Sequence, residues 1–192
     1  MLVYLASTSP RRRSLLEAAG IAHVVVEPGP EPVGLDDPLT EARRRARSKA
    51  CGARVPVPEP GLVVGVDTVV DVDGVEFGKP SDAMEAAAML GRLQGRRHRV
   101  HTAVCVRRHP DSDARVWLDA VTAVVQFDRL DPEQVAAHCR ADLWHGKAGG
   151  YGIQDPPTAR FASVVAGGID TVIGLPVDLL IELLARAERQ GG

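Results

Sequence analysis

An apolar, strand-like run, Leu2-Val3-Tyr4-Leu5-Ala6, gives way after only Ser7-Thr8-Ser9 to a helix-like run that begins at Pro10. This junction sets a helix N-terminus at the C-terminal edge of a strand. Ser9 suits the N-cap position, and Pro10 suits the first helical position because its missing N–H would be unpaired there anyway. Leu15, Leu16, Ala18 and Ala19 fall on one helix face, and Gly20 is the stop. Free backbone N–H groups and the helix dipole make such an end a ready anion site. The hydroxyls of Ser7, Thr8 and Ser9 and the guanidiniums of Arg11 and Arg12 stand around it. Taken alone, the arginine run reads either as a solvated face or as a phosphate site. Successive helix positions lie about 100° apart, so three arginines cannot face one ligand, and Arg13 is expected to be exposed.

The chain of 192 residues has room for one good core, and two full domains would be a squeeze. A net charge of −2 supplies no basic field for duplex nucleic acid, and 4% aromatic residues are too few for a base-stacking platform. Cys51, Cys105 and Cys139 are odd in number and show no C-x-x-C spacing, so neither zinc nor a disulfide framework is expected. A reduced, cytoplasmic setting fits. No signal peptide is expected, because Arg11 to Arg13 interrupt the N-terminal apolar run. No stretch reaches the roughly 20 apolar residues of a membrane span.

A second strand is predicted over 22–26, followed by the proline- and glycine-rich loop 27–34, which cannot hold regular structure. A helix is predicted over 39–54, its arginines forming a solvated face. Leu62 to Val66 reads as a short buried strand ending at Asp67-Thr68. Val69 to Val75 then reads as a hairpin turning at Asp73-Gly74. A helix over 81–93 closes at Gly95, and two longer strands, 99–107 and 115–127, flank the turn-like His109-Pro110-Asp111-Ser112. A short helix over 131–140, a glycine-rich segment over 146–154, two short strands and a helix over 176–189 complete a single α/β or α+β domain.

The phosphate-binding P-loop, the dinucleotide fingerprint, the H-E-x-x-H zinc motif and the G-x-S-x-G elbow are all missing from the sequence. His98 and His101, three apart on a predicted strand, face opposite ways and do not share a metal. The six histidines read as surface or structural residues. Asp67 stands at the end of a buried strand, where open sheets place ligand-contacting residues, and function and a structural hydrogen bond are its two readings. Lys79, in the rigid turn Gly78-Lys79-Pro80, reads by itself as a solvated lysine. Gln154, after the glycines at 149, 150 and 152, offers an amide able to pair with a base edge.

Together these segments resemble, in order and over essentially the whole chain, the Maf-like family of nucleoside triphosphate pyrophosphatases. The resemblance is carried by Leu5-Ala6-Ser7-Thr8-Ser9-Pro10-Arg11-Arg12, by Ala46 with Lys49-Ala50, and by Gly65-Val66-Asp67-Thr68-Val69. It continues through Gly78-Lys79-Pro80, Gly95 with His98-Arg99-Val100, Lys147-Ala148-Gly149 with Tyr151-Gly152-Ile153-Gln154, and Gly174-Leu175-Pro176. It implies one Maf-like domain over 1–192: a mixed α/β, two-lobed fold of the inosine-triphosphatase type, with a central mixed sheet, a nucleotide cleft and possible homodimerisation. The implied reaction cleaves a nucleoside triphosphate between its α and β phosphates with a divalent metal, Mg2+ or Mn2+. Asp67 matches the family's catalytic acidic residue, and Glu31 matches an acidic loop residue near the metal. Ser7, Ser9, Arg12, Lys49 and Lys79 match the triphosphate pocket.

Three positions divide the family by substrate, and here they read Arg11, Thr68 and Gln154. That set resembles the branch acting on dTTP and UTP. The 7-methyl-GTP branch, with tryptophan, glutamine and glutamate at those places, is the first alternative. A nucleotide-binding regulator of septum formation with little catalysis is the second. A nucleic-acid module using Arg11 to Arg13 is the third, disfavoured by the net charge and scarce aromatics. The chain departs from the family pattern at Gly146, where an acidic residue commonly precedes Lys147, and at Asp155, where glycine usually follows the glutamine. The 27–31 loop also loses an acidic residue common before Glu31.

Overall fold

The strand that includes Leu62 runs without a break from Gly61 to Val72, and the other elements are arranged on that one long strand. The computed structural model describes residues 2–32, 34, 37–110 and 115–190. In chain order the elements are β1 (Leu2–Ala6), α1 (Pro10–Ala18), β2 (His23–Val26), α2 (Pro38–Cys51), β3 (Gly61–Val72), β4 (Val75–Phe77) and α3 (Ala83–Leu93). Then follow β5 (Arg97–His109), β6 (Val116–Phe127), α4 (Pro132–Arg140), β7 (Ala162–Ala166), α5 (Ile169–Ile173) and α6 (Val177–Arg189).

The sheet is mixed, in the order β2-β1-β3-β5-β6-β7, with β4 also on β3. β1 runs parallel to β2 and β3, and the remaining pairs are antiparallel. One edge of β3 is taken by β5 over Gly61–Asp71. On the other edge β1 pairs with Gly61–Gly65 and β4 with Val70–Val72. Between them Val66–Val69 has no strand neighbour among the described residues. Asp67 and Thr68 stand in that gap.

Side chains alternate along a strand, and the alternation divides β3 between two environments. Leu62, Val64 and Val66 join Leu5, Leu16, Val104, Leu180 and Leu183 in one apolar cluster. Val70 and Val72, on the same face, join Leu90, Leu93, Val100, Phe127, Tyr151 and Phe161 in another. Thr68 and its cross-strand partner Thr102 interrupt that face between the two clusters, which form the cores of the two lobes. The opposite face carries Gly65, Asp67 and Val69 and is covered by α2, which packs on β3, β5 and β6.

Gly65 fixes how closely α2 lies. A Cβ there would stand 2.3 Å from the Ala46 carbonyl oxygen and 2.5 Å from the Ala50 nitrogen. The helix backbone therefore rests on the strand, one residue pair away from Asp67.

Several expectations need correction. Asp67 lies inside a 12-residue strand rather than past the end of a short one, because β5 continues to pair beyond the point where β1 stops. α2 ends at Cys51 and not at Arg54: Gly52 packs on Gly29, and the Arg54 N–H turns back to the Glu27 carbonyl at 3.0 Å. Of its four arginines only Arg47 is exposed as expected of a solvated face. Arg43, Arg44 and Arg45 are half-buried and paired with Asp119, with Glu41, and with Glu41 and Glu76 respectively. In α1 only Leu16 is buried, and Ala18 and Ala19 are exposed because little packs on the last turn. Ser9 holds the N-cap position, but its side chain makes no capping bond. α3 starts at Ala83 with Asp82 as its cap, two residues later than expected. The two late strands are one strand, β7, and the short helix α5. Gly167, at φ +80°, breaks the strand, and the Asp170 carboxylate gathers the N–H groups of Thr171 (2.8 Å) and Val177 (2.9 Å). Of the turn expected at 109–112, Asp111 and Ser112 lie outside the described residues, as does Val33 of the 27–34 loop.

His98 is buried against Phe127 and Tyr151, with ring centroids 5.2 and 5.5 Å away, and its Nε2 is 2.7 Å from the Tyr151 hydroxyl. Burial, helped by Arg96, lowers its pKa from 6.5 to about 4. Between those values the unfolded chain takes up a proton at this ring and the folded chain does not, so acid favours unfolding across that window. Urea midpoints should fall from pH 7 to pH 4.5, and His98→Phe should make that fall smaller. Gly65→Ala should cost about 2 kcal/mol or more, measured by urea unfolding, because neither opposing atom is a flexible side chain.

Candidate active site

The start of α1, the gap along one side of β3 and the last turns of α2 converge on one cavity of about 260 Å³. Ser9, Arg11, Arg12, Glu31, Lys49, Asp67, Thr68, Lys79 and Gln154 all line it. Of the residues anticipated from sequence, Ser7 alone lies outside, in an adjoining recess of about 360 Å³ that shares Arg11, Arg12, Glu31, Lys49 and Lys79 with the main cavity. Arg45, Glu76 and Lys147 complete the charged lining. Basic side chains thus outnumber carboxylates by six to three, which suits a multiply charged anion.

Asp67 is at the centre. It is 5% exposed and Lys49 6%, and Lys49 Nζ donates to Asp67 Oδ1 at 2.6 Å. The same ammonium is 2.7 Å from Glu31 Oε1. Glu31 reaches it because the proline-rich loop is strapped to the end of α2. The Gly29 N–H donates to the Lys49 carbonyl (3.1 Å) and Ser48 Oγ to the Pro30 carbonyl (2.8 Å). Burial pushes the Asp67 carboxyl above its ordinary pKa, although Lys49 and Arg12 pull the other way. Burial also acts to raise Glu31, but the bond and charge of Lys49, with Lys79 and Arg45, hold it below the usual range. The two carboxylates on one lysine are therefore unlike in acidity.

Arg12 is committed to the protein. Its Nε donates to the Gly174 carbonyl (2.8 Å), Nη1 to Ser7 Oγ (3.0 Å) and Nη2 to Thr68 Oγ1 (3.2 Å). Burial lowers its pKa to about 10, against the supporting charge of Asp67, so it stays a cation at neutral pH. Thr102 Oγ1 gives its proton to the Thr171 carbonyl at 2.7 Å, so at 3.0 Å it accepts from Thr68. The direction of the chain from Arg12 through Thr68 and Thr102 is thereby fixed, and α1, β3, β5 and α5 are joined across the seam between the lobes.

On the far wall, Gly149 N–H donates to the Gly78 carbonyl (2.9 Å) and His138 Nε2 lies 2.8 Å from the Gly150 carbonyl. Tyr151 anchors this loop in the second core, leaving Gln154 exposed at the cavity. Arg11 Nη2 donates to the Gly146 carbonyl at 3.2 Å. Lys147 pairs with Asp155 and donates to the Leu143 carbonyl at 2.7 Å. Lys79 makes no ion pair or hydrogen bond among the described residues, and its charge faces the cavity, where it acts on Glu31.

Sequence reasoning missed Arg45 and Glu76, bound to each other through the two terminal guanidinium nitrogens (2.5 and 2.9 Å). Arg45 was hidden in a basic helix, and no local pattern marks Glu76 in so short a strand.

A divalent cation is compatible with this donor set. Asp67 Oδ2 is buried without a hydrogen-bond partner, and Glu31 offers a second hard oxygen. Among the described residues no three His, Cys, Asp or Glu side chains cluster to hold a metal by themselves. A magnesium-like ion needs only one or two carboxylates when phosphate and water supply the rest.

The fold and the cavity define a mixed α/β protein with a cation-rich cleft at a gap beside the central strand β3. The family model described as Maf-like protein matches residues 2–187, and the chain belongs to that family. It is similar to proteins named dTTP/UTP pyrophosphatase from several bacteria. The Roseobacter denitrificans protein is 37% identical over 190 residues, covering 97% of each chain. The Anaeromyxobacter sp. protein is 41% identical over 191 residues, covering 95% of this chain and 88% of its own. The Symbiobacterium thermophilum protein is 40% identical over 184 residues, covering 95% and 92%. No helix among the described residues is long and apolar enough to cross a membrane.

Removing the lysine from between the carboxylates would leave Asp67 buried and unpaired. Lys49→Met should destabilise the fold by about 3 kcal/mol at pH 7. Because protonation relieves an unpaired carboxylate, the deficit should shrink as pH falls toward 4, read by urea unfolding at both values.

Proposed function

We propose that this chain hydrolyses dTTP and UTP to the nucleoside monophosphate and pyrophosphate, with Asp67 as the general base. The observation that carries the reading is a buried carboxylate with one unpartnered oxygen, set in a cavity where cations exceed anions. The relatives named dTTP/UTP pyrophosphatase, which span nearly the whole chain, support the substrate class.

In the reaction a water proton passes to Asp67, the water oxygen bonds to phosphorus, and the bridging P–O bond breaks to release pyrophosphate. A carboxyl with a raised pKa suits this step, since a stronger base abstracts the proton more readily. Lys49 holds Asp67 in place. Arg11 and Lys79, on both the cavity and its recess, stabilise negative charge as it moves onto the leaving group. Arg12 shapes the turn through Ser7 and Thr68, and Ser9 with the free N–H groups of α1 takes phosphate oxygens. Glu31 and Asp67 would hold a divalent cation, which when bound neutralises phosphate charge. Thr68 and Gln154, beside Val100, Tyr151 and Ile173, form the base-facing end.

Pyrophosphate release measured with Mg2+ or Mn2+ against dTTP, UTP, CTP, GTP and 7-methyl-GTP should show turnover of dTTP and UTP above the others. Asp67→Asn should lose about 100-fold or more in kcat while keeping its far-UV circular dichroism. Undiminished turnover in a folded Asp67→Asn protein overturns the assignment.

A further inference from the structure

Asp155 follows Gln154 directly and is not needed for the chemistry above. Its carboxylate is nevertheless held on both oxygens: Oδ2 pairs with Lys147, and Oδ1 accepts from Gln154 Nε2 at 3.3 Å. With side chains 15% and 18% exposed, Lys147 and Asp155 are well enclosed. Gly152 leaves room for the arrangement, since a Cβ there would come within 2.6 Å of Asp155 Oδ2 and 2.9 Å of Gln154 Nε2.

An ionised carboxylate only accepts hydrogen bonds, so the amide nitrogen of Gln154, not its oxygen, must face it. The assignment of the two amide atoms, which geometry by itself leaves open, is settled by this neighbour. The consequence falls on base recognition. Uracil and thymine present a carbonyl acceptor beside the N3–H donor. Cytosine presents the reverse, an amino donor beside the N3 acceptor. An amide free to turn over pairs with either edge, whereas a held amide pairs with one.

We propose that Asp155 is a positioning residue for base selection: by accepting from the Gln154 amide it fixes which way round that amide meets the pyrimidine, and so separates uracil and thymine from cytosine. The inference rests on the proposed dTTP/UTP reaction and on Gln154 facing the base. It adds a residue at a position where this chain departs from its family's usual glycine.

The test compares kcat/KM for UTP, dTTP and CTP in the wild type, Asp155→Ala, Asp155→Asn and Lys147→Met. The UTP-to-CTP ratio should fall about tenfold or more in Asp155→Ala, the range expected when a site loses a defined hydrogen-bonding edge. It should fall less in Asp155→Asn, whose amide can accept or donate and which preserves the shape of the site if the alanine variant does not fold. Lys147→Met, which removes the other partner of Asp155 but keeps its carboxylate as an acceptor for Gln154, should lower the ratio less than Asp155→Ala does. An unchanged ratio in both Asp155 variants, with rates falling alike, overturns the inference and reduces Asp155 to a partner of Lys147. A wild type that turns over UTP and CTP equally overturns it too, while leaving the reaction intact. A wild type releasing no pyrophosphate from UTP or dTTP overturns the proposed function itself, and the inference with it.

Discussion

The Lys49–Asp67 pair joins the last turn of α2 to the middle of β3, and the site is disposed around it. Two buried charges at 2.6 Å are stable only if each keeps its partner and its hydrogen bonds. The surroundings provide for that. Gly65 lets the helix down onto the strand, and the 27–32 loop brings Glu31 to the same ammonium. One carboxylate oxygen of Asp67 is left without a partner. A fold does not gain stability from such an atom, and its presence at the edge of a charged cavity is what separates a site from a structural ion pair.

The edge of β3 explains why the site lies where it does. A strand paired along its whole length on both sides has no backbone opening. Here β1 stops at Gly65 and β4 begins at Val70, so neither neighbour covers the stretch between them. Because side chains alternate, Asp67 looks toward α2 and Thr68 toward the seam between the lobes, yet both reach the same cavity.

Much of this was legible in the sequence. The strand-to-helix junction, the turn at Asp73-Gly74 and the stops at Gly20 and Gly95 are where turn chemistry places them, with Asp73 and all three glycines at positive φ. Every anticipated site residue except Ser7 came together in one cavity, because the motif resemblance carried long-range information that local patterns lack. What local patterns could not show were relationships across the sheet. A basic run such as Arg43 to Arg45 looks solvated until the carboxylates at 76 and 119 are seen opposite it. The Ile169–Ile173 run has the β-branched composition of a strand, and only the Asp170 carboxylate gathering N–H groups on both sides of Gly174 turns it into a helix. The break expected at Asp67 failed for the same reason: a charge in a strand reads as a terminus unless its buried partner is known.

β3, β5 and β6 each run unbroken beneath both apolar clusters, and their ladders continue through the seam marked by Thr68 and Thr102. Rotating one lobe against the other would break backbone hydrogen bonds in the middle of the sheet. A hinge is therefore denied to this architecture, and adjustment to a ligand falls to side chains and to the 27–32 and 146–155 loops. The sheet beneath the cleft is thus a fixed floor, and only its rim of side chains and loops can conform to what binds.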